Sequence, residues 1–422
     1  MGDTSDLQKR LHRLRRLGLH QGAAHLQPPP QKRAVGVEQI VPGRVLHTPV
    51  GDCFIAEASW PLTHRHGHLP LGAALDITPQ TLARLADLAG GQVFDLRRAV
   101  FFDVETSGLS GGAGTFVFQT GVGFFQGDTF CVQQYFMRDL TEETAYLHAV
   151  GEVLDRFEAL VSFNGRAFDL PLLNSRFTLA RQPRRLTRAP HLDLLTPARR
   201  LWRRRLDSCA LGALERQVLG VQRGEAEVPG WLVPRIYLDY LQTGDATELA
   251  GVFYHNQIDV LSMVSLAARL GAVFADPLIA GPLADDDLFS LGHWYETKGM
   301  LAESEAVYRA VLDRPATAVL KADACRQLGF LLKRQERRQE AADMWRAVIA
   351  DDCCDEVYAH IELAKHYEWH VGDLPAAAAV THQAMALLAA HSSTRPIRET
   401  FEELTHRLRR LERKMAQAET EA

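Results

Sequence analysis

Between residues 99 and 136 the chain alternates apolar runs with short polar breaks: AVFFDVE (99–105), TFVFQTGVGFF (115–125) and TFCVQQYF (129–136). Runs of this length, rich in β-branched and aromatic residues and bounded by turn residues, predict strands. The stretch 141–158 predicts a helix starting at Thr141, with Glu142 and Glu143 in its first turn where acids favour the helix dipole. A strand at 160–163 leads into a helix opened by Asp169, with Pro171 in its first turn, and HLDLL (191–195) predicts one more strand. Helices follow at 209–219, closed by Gly220, and at 248–270, closed by Gly271. The fold class is therefore α/β, a mixed sheet flanked by helices.

Past residue 285 the strand pattern stops. LGHWYETKGMLAESEAVYRAVL (291–312), LGFLLKRQERRQEAADMWRAVI (328–349) and LAKHYEWHVGDLPAAAAVTHQAM (363–385) recur at close to the ~34-residue period of a helix pair. In each unit a small residue stands four before a ring: Ser304 and Tyr308, Ala341 and Trp345, Ala378 and His382. This predicts an all-α region that resembles a degenerate tetratricopeptide array, whose family role is to bind a protein or peptide partner in a groove. A helical cap that only stabilises its neighbour fits the pattern equally. Upstream, residues 1–33 read as a basic tail ending in a proline linker, and 34–92 as an accessory lobe of short β-like runs. The domain expectation is thus 1–33, 34–92, 93–275 and 285–415.

Length and charge narrow the class. A chain of 422 residues exceeds one ordinary core. With 47 basic and 52 acidic residues the net charge is -5, so any binding of a polyanion must come from a local patch. Cys53, Cys131, Cys209, Cys325, Cys353 and Cys354 are scattered and form no C-x-x-C pair, so neither a zinc ribbon nor a disulfide framework is indicated. The charged N-terminus lacks the apolar run of a secretory signal, and no later segment reads as long enough to span a bilayer. The expectation is a cytoplasmic protein with no membrane partner.

Two acids interrupt the first strand. Residues two apart in a strand share a face, so Asp103 and Glu105 project together while Phe102 and Val104 point to the opposite side. Adjacent carboxylates in a half-buried place resist ionising, and a hard divalent cation is what relieves them. Asp169, after the turn Asn164-Gly165, is either a plain helix opener or a third acid of the same site. His255 and Asp259 lie at i and i+4 on one helix face, as a surface pair or as a fourth acid with its neighbour.

Together DVETSGL (103–109), NGRAFDLP (164–171) and HNQID (255–259) resemble, in this order, the motifs of the DEDD exonuclease superfamily, over roughly 95–270. GGAGT (111–115), HLDLLTPARRLWRRRL (191–206), DVLSM (259–263) and PLTHRHG (61–67) resemble its YprB-like branch, a ribonuclease-H-like fold followed by tetratricopeptide-like repeats. The resemblance implies a metal tetrad of Asp103, Glu105, Asp169 and Asp259 holding two Mg²⁺ or Mn²⁺ ions. It also implies hydrolysis of phosphodiesters from the 3′ end of single-stranded DNA or RNA. His255 would be the general base or the group that orients the water. Subgroups with a catalytic His usually carry it five before the last Asp, and those with Tyr four before; here Tyr254 and His255 exchange those places. On a regular helix a residue four away lies about 40° from the Asp259 face and one five away about 140°, which favours His255 and keeps Tyr254 as second candidate.

Residues 176–205 concentrate arginine: Arg176, Arg181, Arg184, Arg185, Arg188, Arg199, Arg200, Arg203, Arg204 and Arg205, with Asp193 the lone acid. This predicts a positive face for a phosphate backbone, with Arg176, Arg199, Arg200 and Arg203 as contacts. Trp202 reads as buried in the domain seam. Asn164 would touch the terminal nucleotide or order its turn. His64, His66 and His68 alternate and would share one side of a strand, as polar residues near the site or as the start of a zinc site. A second function class remains open: a non-catalytic nucleic-acid adaptor whose repeats recruit a protein.

Overall fold

The computed structural model describes residues 35–108, 114–184, 189–350, 357–390 and 400–421. The tail at 1–33, the glycines at 111–112, Arg185, Arg188, Cys353 and Cys354 lie outside the described residues. The chain opens with α1 (Val37–Ile40), the hairpin of β1 (Gly43–Thr48) and β2 (Gly51–Pro61), and the small hairpin of β3 (Arg65–His66) and β4 (Leu69–Pro70). Next comes α2 (Pro79–Leu85), capped by the Thr78 hydroxyl accepting from the Thr81 amide. The α/β pattern follows as β5 (Ala99–Thr106), β6 (Val117–Gln126), β7 (Thr129–Phe136), α3 (Glu143–Leu154), β8 (Ala159–Ser162), α4 (Asp169–Leu179) and β9 (His191–Asp193). Helices α5 (Leu195–Trp202), α6 (Leu211–Leu214), α7 (Val233–Thr243) and α8 (Leu249–Ala275) complete it.

The main sheet has seven strands in the order β1-β2-β7-β6-β5-β8-β9. The β2–β7, β7–β6 and β6–β5 pairs are antiparallel, whereas β8 and β9 run parallel to β5. This is the expected mixed sheet, and β1 and β2 of the 34–92 segment extend its edge. Along β5 the side chains divide as the period of two requires. Val100, Phe102 and Val104 join the core under α3 and α4, while Ala99 and Phe101 join the core shared with α5 and the later turns of α8. Asp103 and Glu105 continue that second row.

Two helix boundaries differ from expectation by several residues. The helix expected over 141–158 spans Glu143–Leu154, because Asp139 accepts from the Thr141 amide and starts a tight turn at 140–142. Gly271 does not end its helix. It lies inside α8, where a Cβ would meet Ile77 Cγ2 at 2.6 Å, so glycine there serves close packing. The expectation of no segment able to span a bilayer is also corrected. α8, 27 residues long with mean hydropathy 1.7 over its most apolar window, is long and apolar enough. That window is 72% buried inside the fold, which accounts for a helix apolar on all sides.

From residue 285 onward the described chain is helical: α9 (Asp285–Thr297), α10 (Leu301–Leu312), α11 (Ala318–Arg334), α12 (Arg338–Ala350), α13 (Val357–His366), α14 (Leu374–Ala390) and α15 (Phe401–Glu421). Successive helices pack on one another, with the same device twice. Gly292 of α9 gives way to the Tyr308 ring of α10, and Gly329 of α11 to the Trp345 ring of α12. Ser304 donates to the Gly292 carbonyl at 2.9 Å. One apolar core runs from Leu71 through α8 into α9–α13, and Trp202, 1% exposed, lies within it.

Candidate active site

Asp103 and Glu105 sit at the end of β5, an interior strand between β6 and β8. What closes the site is the approach of α8 onto β6. Gly121 stands opposite Asp103 in the register, and a Cβ on it would lie 2.8 Å from Asn256 Cγ. With no side chain there, fully buried Asn256 reaches Asp103 and donates to its Oδ2 at 2.9 Å and, more weakly, to its carbonyl at 3.3 Å. Gln134 of β7 donates to Asn256 Oδ1 at 2.9 Å and to the Phe253 carbonyl at 2.8 Å. This pins the α8 turn that carries His255 and Asp259.

The second motif arrives from β8. Asn164 takes a left-handed φ of 64°. Its amide donates to Asp193 Oδ1 at 2.8 Å, the Arg166 amide to Oδ2 at 3.1 Å and the Leu195 amide to Oδ1 at 3.1 Å. Asp193 thus binds the turn with three backbone donors, and Asn164 orders it through its backbone. Asp169 is the first residue of α4, not its cap, and the helix has no side-chain cap bond. Its carboxylate is left to the site, and Phe168 before it is 59% exposed.

The four acids act electrically as one group. Burial, then the charges of Asp259, Glu105 and Asp169, push the Asp103 carboxyl well above the carboxylate range. Burial raises Glu105, with Asp259 and Asp169 adding to the rise and His255 opposing it. Burial, Asp193 and Asp259 raise Asp169, and burial raises Asp259 against the pull of His255 and Arg223. Burial alone would lower the His255 imidazole, but Asp259, Glu105 and Glu227 overcome it and raise it. His255 Nε2 lies 3.6 Å from Asp259 Oδ2, and its Nδ1 is 2.8 Å from Glu227 Oε1, which fixes the ring. Tyr254 turns away, its hydroxyl accepting from the Gly224 amide at 2.7 Å.

Among the described residues, no group of three or more His, Cys, Asp or Glu stands ready-made as a metal cage. The residues present nevertheless fit hard divalent ions. The donors are all carboxylate oxygens, as Mg²⁺ and Mn²⁺ prefer. Gln119, fully buried and opposite Glu105 in the β5–β6 register, has neither amide atom hydrogen-bonded. An orphaned amide beside repelling carboxylates suits a hydrated cation, whose waters both donate and accept.

The arginine expectation requires correction. Arg176 is buried, bonded to Glu143 Oε1 through Nε at 2.6 Å and stacked on Phe116 at 4.4 Å. Arg200 pairs with Asp87 at 2.9 Å. Arg184 pairs with Asp155 and Glu152. Arg204 binds Asp286 at 2.7 Å and Asp323 at 2.9 Å, and Arg205 binds Asp287 at 2.9 Å. These guanidiniums fasten the ends of α3 and α2 and the helices α9 and α11, so the run forms no single positive face; Arg199 on α5 and Arg203 just past its end stay exposed. The histidine expectation is corrected as well, because the chain turns at Gly67, φ 66°, and His64, His66 and His68 share no strand. His66 is buried against Ser262 of α8, Nε2 to Oγ 2.8 Å.

Asn256, Gln134, Glu215, Arg223 and Glu227 carried no expectation of a place in the site, and Asp193, named inside HLDLL, carried none as the anchor of the Asn164 turn. Asn256 inside HNQID, Asp193 inside HLDLL and the GVG of β6 offered a local signal.

A mixed sheet carrying acids on an interior strand defines a ribonuclease-H-like domain, and residues 100–271 match the RNase_H superfamily. Domains of this class are nucleases or act on nucleic acid, and such nucleases generally use divalent metals. The chain belongs to the family of the protein YprB of Bacillus subtilis (strain 168), to which it is 32% identical over 371 residues, 86% of each chain. Among solved structures, the family B DNA polymerase from the hyperthermophilic archaeon Pyrobaculum calidifontis aligns with 58% of this chain at 16% identity and a TM-score of 0.32. The chain spans 34% of that polymerase, and a likeness this loose carries no argument.

Proposed function

We propose that the protein is a metal-dependent nuclease of the DEDD type that removes nucleotides from the 3′ end of single-stranded DNA or RNA. One observation carries the reading: Asp103, Glu105, Asp169 and Asp259, from three distant segments, raise one another's affinity for protons across a buried site. Divalent ions held by these four would supply an activated water and stabilise the departing 3′ oxygen. His255, held at Nδ1 by Glu227, would take the water's proton at Nε2. Exposed Arg199 and Arg203 would meet the phosphate backbone, and Asn164 would keep the Asp169 turn in shape for the terminal nucleotide. The α9–α15 helices, read as tetratricopeptide-like pairs, would offer a protein partner a surface. Free thiols at Cys53, Cys131, Cys209 and Cys325 support a cytoplasmic setting.

The test is a panel of single- and double-stranded DNA and RNA, each end labelled in turn, with Mg²⁺ or Mn²⁺. Stepwise loss from a 3′ end, abolished by Asp103→Ala, is the expected result. Equal binding by both forms, independent of metal and without cleavage, would establish the adaptor instead.

A further inference from the structure

The segment between the second and third motifs builds a second structure against the acids. Glu215 opens a π-helical turn (Glu215–Leu219) and is 1% exposed. Its Oε1 accepts from Ser262 Oγ at 2.6 Å. Because that hydroxyl proton goes to Glu215, the Ser262 oxygen accepts in turn from His66 Nε2–H at 2.8 Å. Glu215 is therefore held by both α8 and the β3–β4 hairpin.

Onto this fixed carboxylate Arg223 docks as a fork, through Nε and Nη2 at 2.7 Å each. A planar guanidinium seated at two points aims its remaining donors in set directions. Nη2 also reaches Asp259 Oδ1, and Nη1 reaches Glu227 Oε1 at 2.8 Å. Among the described residues, no ion pair with an arginine or lysine reaches Asp103, Glu105 or Asp169. Asp259 alone of the four has a cation already in place.

We propose that Arg223 is the resident cation of the acidic centre: it steadies Asp259 while the site lacks a metal, and competes with a divalent ion for that carboxylate. This rests on the metal-dependent reading given above. A guanidinium in contact with a metal-binding oxygen both neutralises part of the charge the metal seeks and repels the metal directly. Arg223 is thus a positioning residue that sets metal affinity, and Glu227 passes its order on to His255.

Mn²⁺ binding to the full chain, followed by calorimetry and by the electron paramagnetic resonance of free Mn²⁺, tests the idea beside thermal unfolding with and without the ion. Arg223→Gln should bind Mn²⁺ on the order of tenfold tighter and melt at a lower temperature without metal, so that its Mn²⁺-induced rise in Tm exceeds that of the unsubstituted protein. A merely structural arginine predicts the opposite, weaker binding and a smaller rise. Should Arg223→Gln fail to fold with Glu215 unpaired, the double variant Glu215→Gln/Arg223→Gln removes both charges and must show the same tightening. Unchanged or weaker affinity in the folded variant overturns the resident-cation proposal alone. An unsubstituted protein that takes up no Mn²⁺ overturns the metal-dependent reading and this proposal with it.

Discussion

Asn256 fills the space that a side chain on Gly121 would need, and from there it donates to Asp103. The third motif meets the first only because β6 has no side chain at that point.

Gly121→Ala should therefore push α8 off the sheet. Overpacking of this kind costs about 1–3 kcal/mol, read as a lowered denaturant midpoint. Cleavage should fall much further than stability, because Asp259 and His255 move with the helix. A variant that cleaves normally would show that the close approach does not matter to the site.

Stability without metal should decline as pH rises. The buried carboxylates hold their protons in the fold to higher pH than in the unfolded chain, up to about 7 for Asp169 and about 8 for Glu105. Between those values and the ordinary carboxylate range near ~4, the folded state binds more protons than the unfolded one, so its stability is fullest at the acid end and is lost on the way up. Melting temperatures from pH 5 to 8 should fall in chelator and flatten when Mg²⁺ is added. A chelator-treated protein whose melting temperature rises over this range would contradict the coupling.

His255 and Tyr254 separate cleanly by substitution. His255→Ala should lower the cleavage rate by ~10²–10⁴-fold, the usual contribution of a general base. Tyr254→Phe removes only the bond to the Gly224 amide, worth about 0.5–1.5 kcal/mol of stability, and should leave the rate within about tenfold. Single-turnover rates of the two variants decide, and the reverse order would make Tyr254 the reactive group.

The arginines divide into two sets with different readouts. Arg205→Ala leaves Asp287, its side chain 2% exposed, as an uncompensated buried charge, and should cost about 3–5 kcal/mol of stability. Arg199→Ala and Arg203→Ala should leave folding unchanged and each reduce the salt dependence of nucleic-acid binding by a slope of about 1. Filter binding at several salt concentrations, beside chemical unfolding, separates the sets.

Local periodicity was enough to read strands at 99–105, 115–125 and 129–136, each within two residues of its observed bounds, the shared face of Asp103 and Glu105, the pairing of His255 with Asp259 on one helix, and the helices beyond 285. Those relations depend on neighbours a few residues apart, where a period of 2 or 3.6 dictates direction. Which partner each long charged side chain takes was decided by the tertiary structure. Arg176, Arg200, Arg204 and Arg205 look alike along the chain, yet each is claimed by an acid that folding brings from elsewhere. Likewise, nothing near Arg223 in the sequence announces that Glu215 will hold it against Asp259, since that contact exists only once α8 has settled over β6. A carboxylate's address on its own helix or strand is a local property; the charge that answers it is set by packing between segments far apart in the chain.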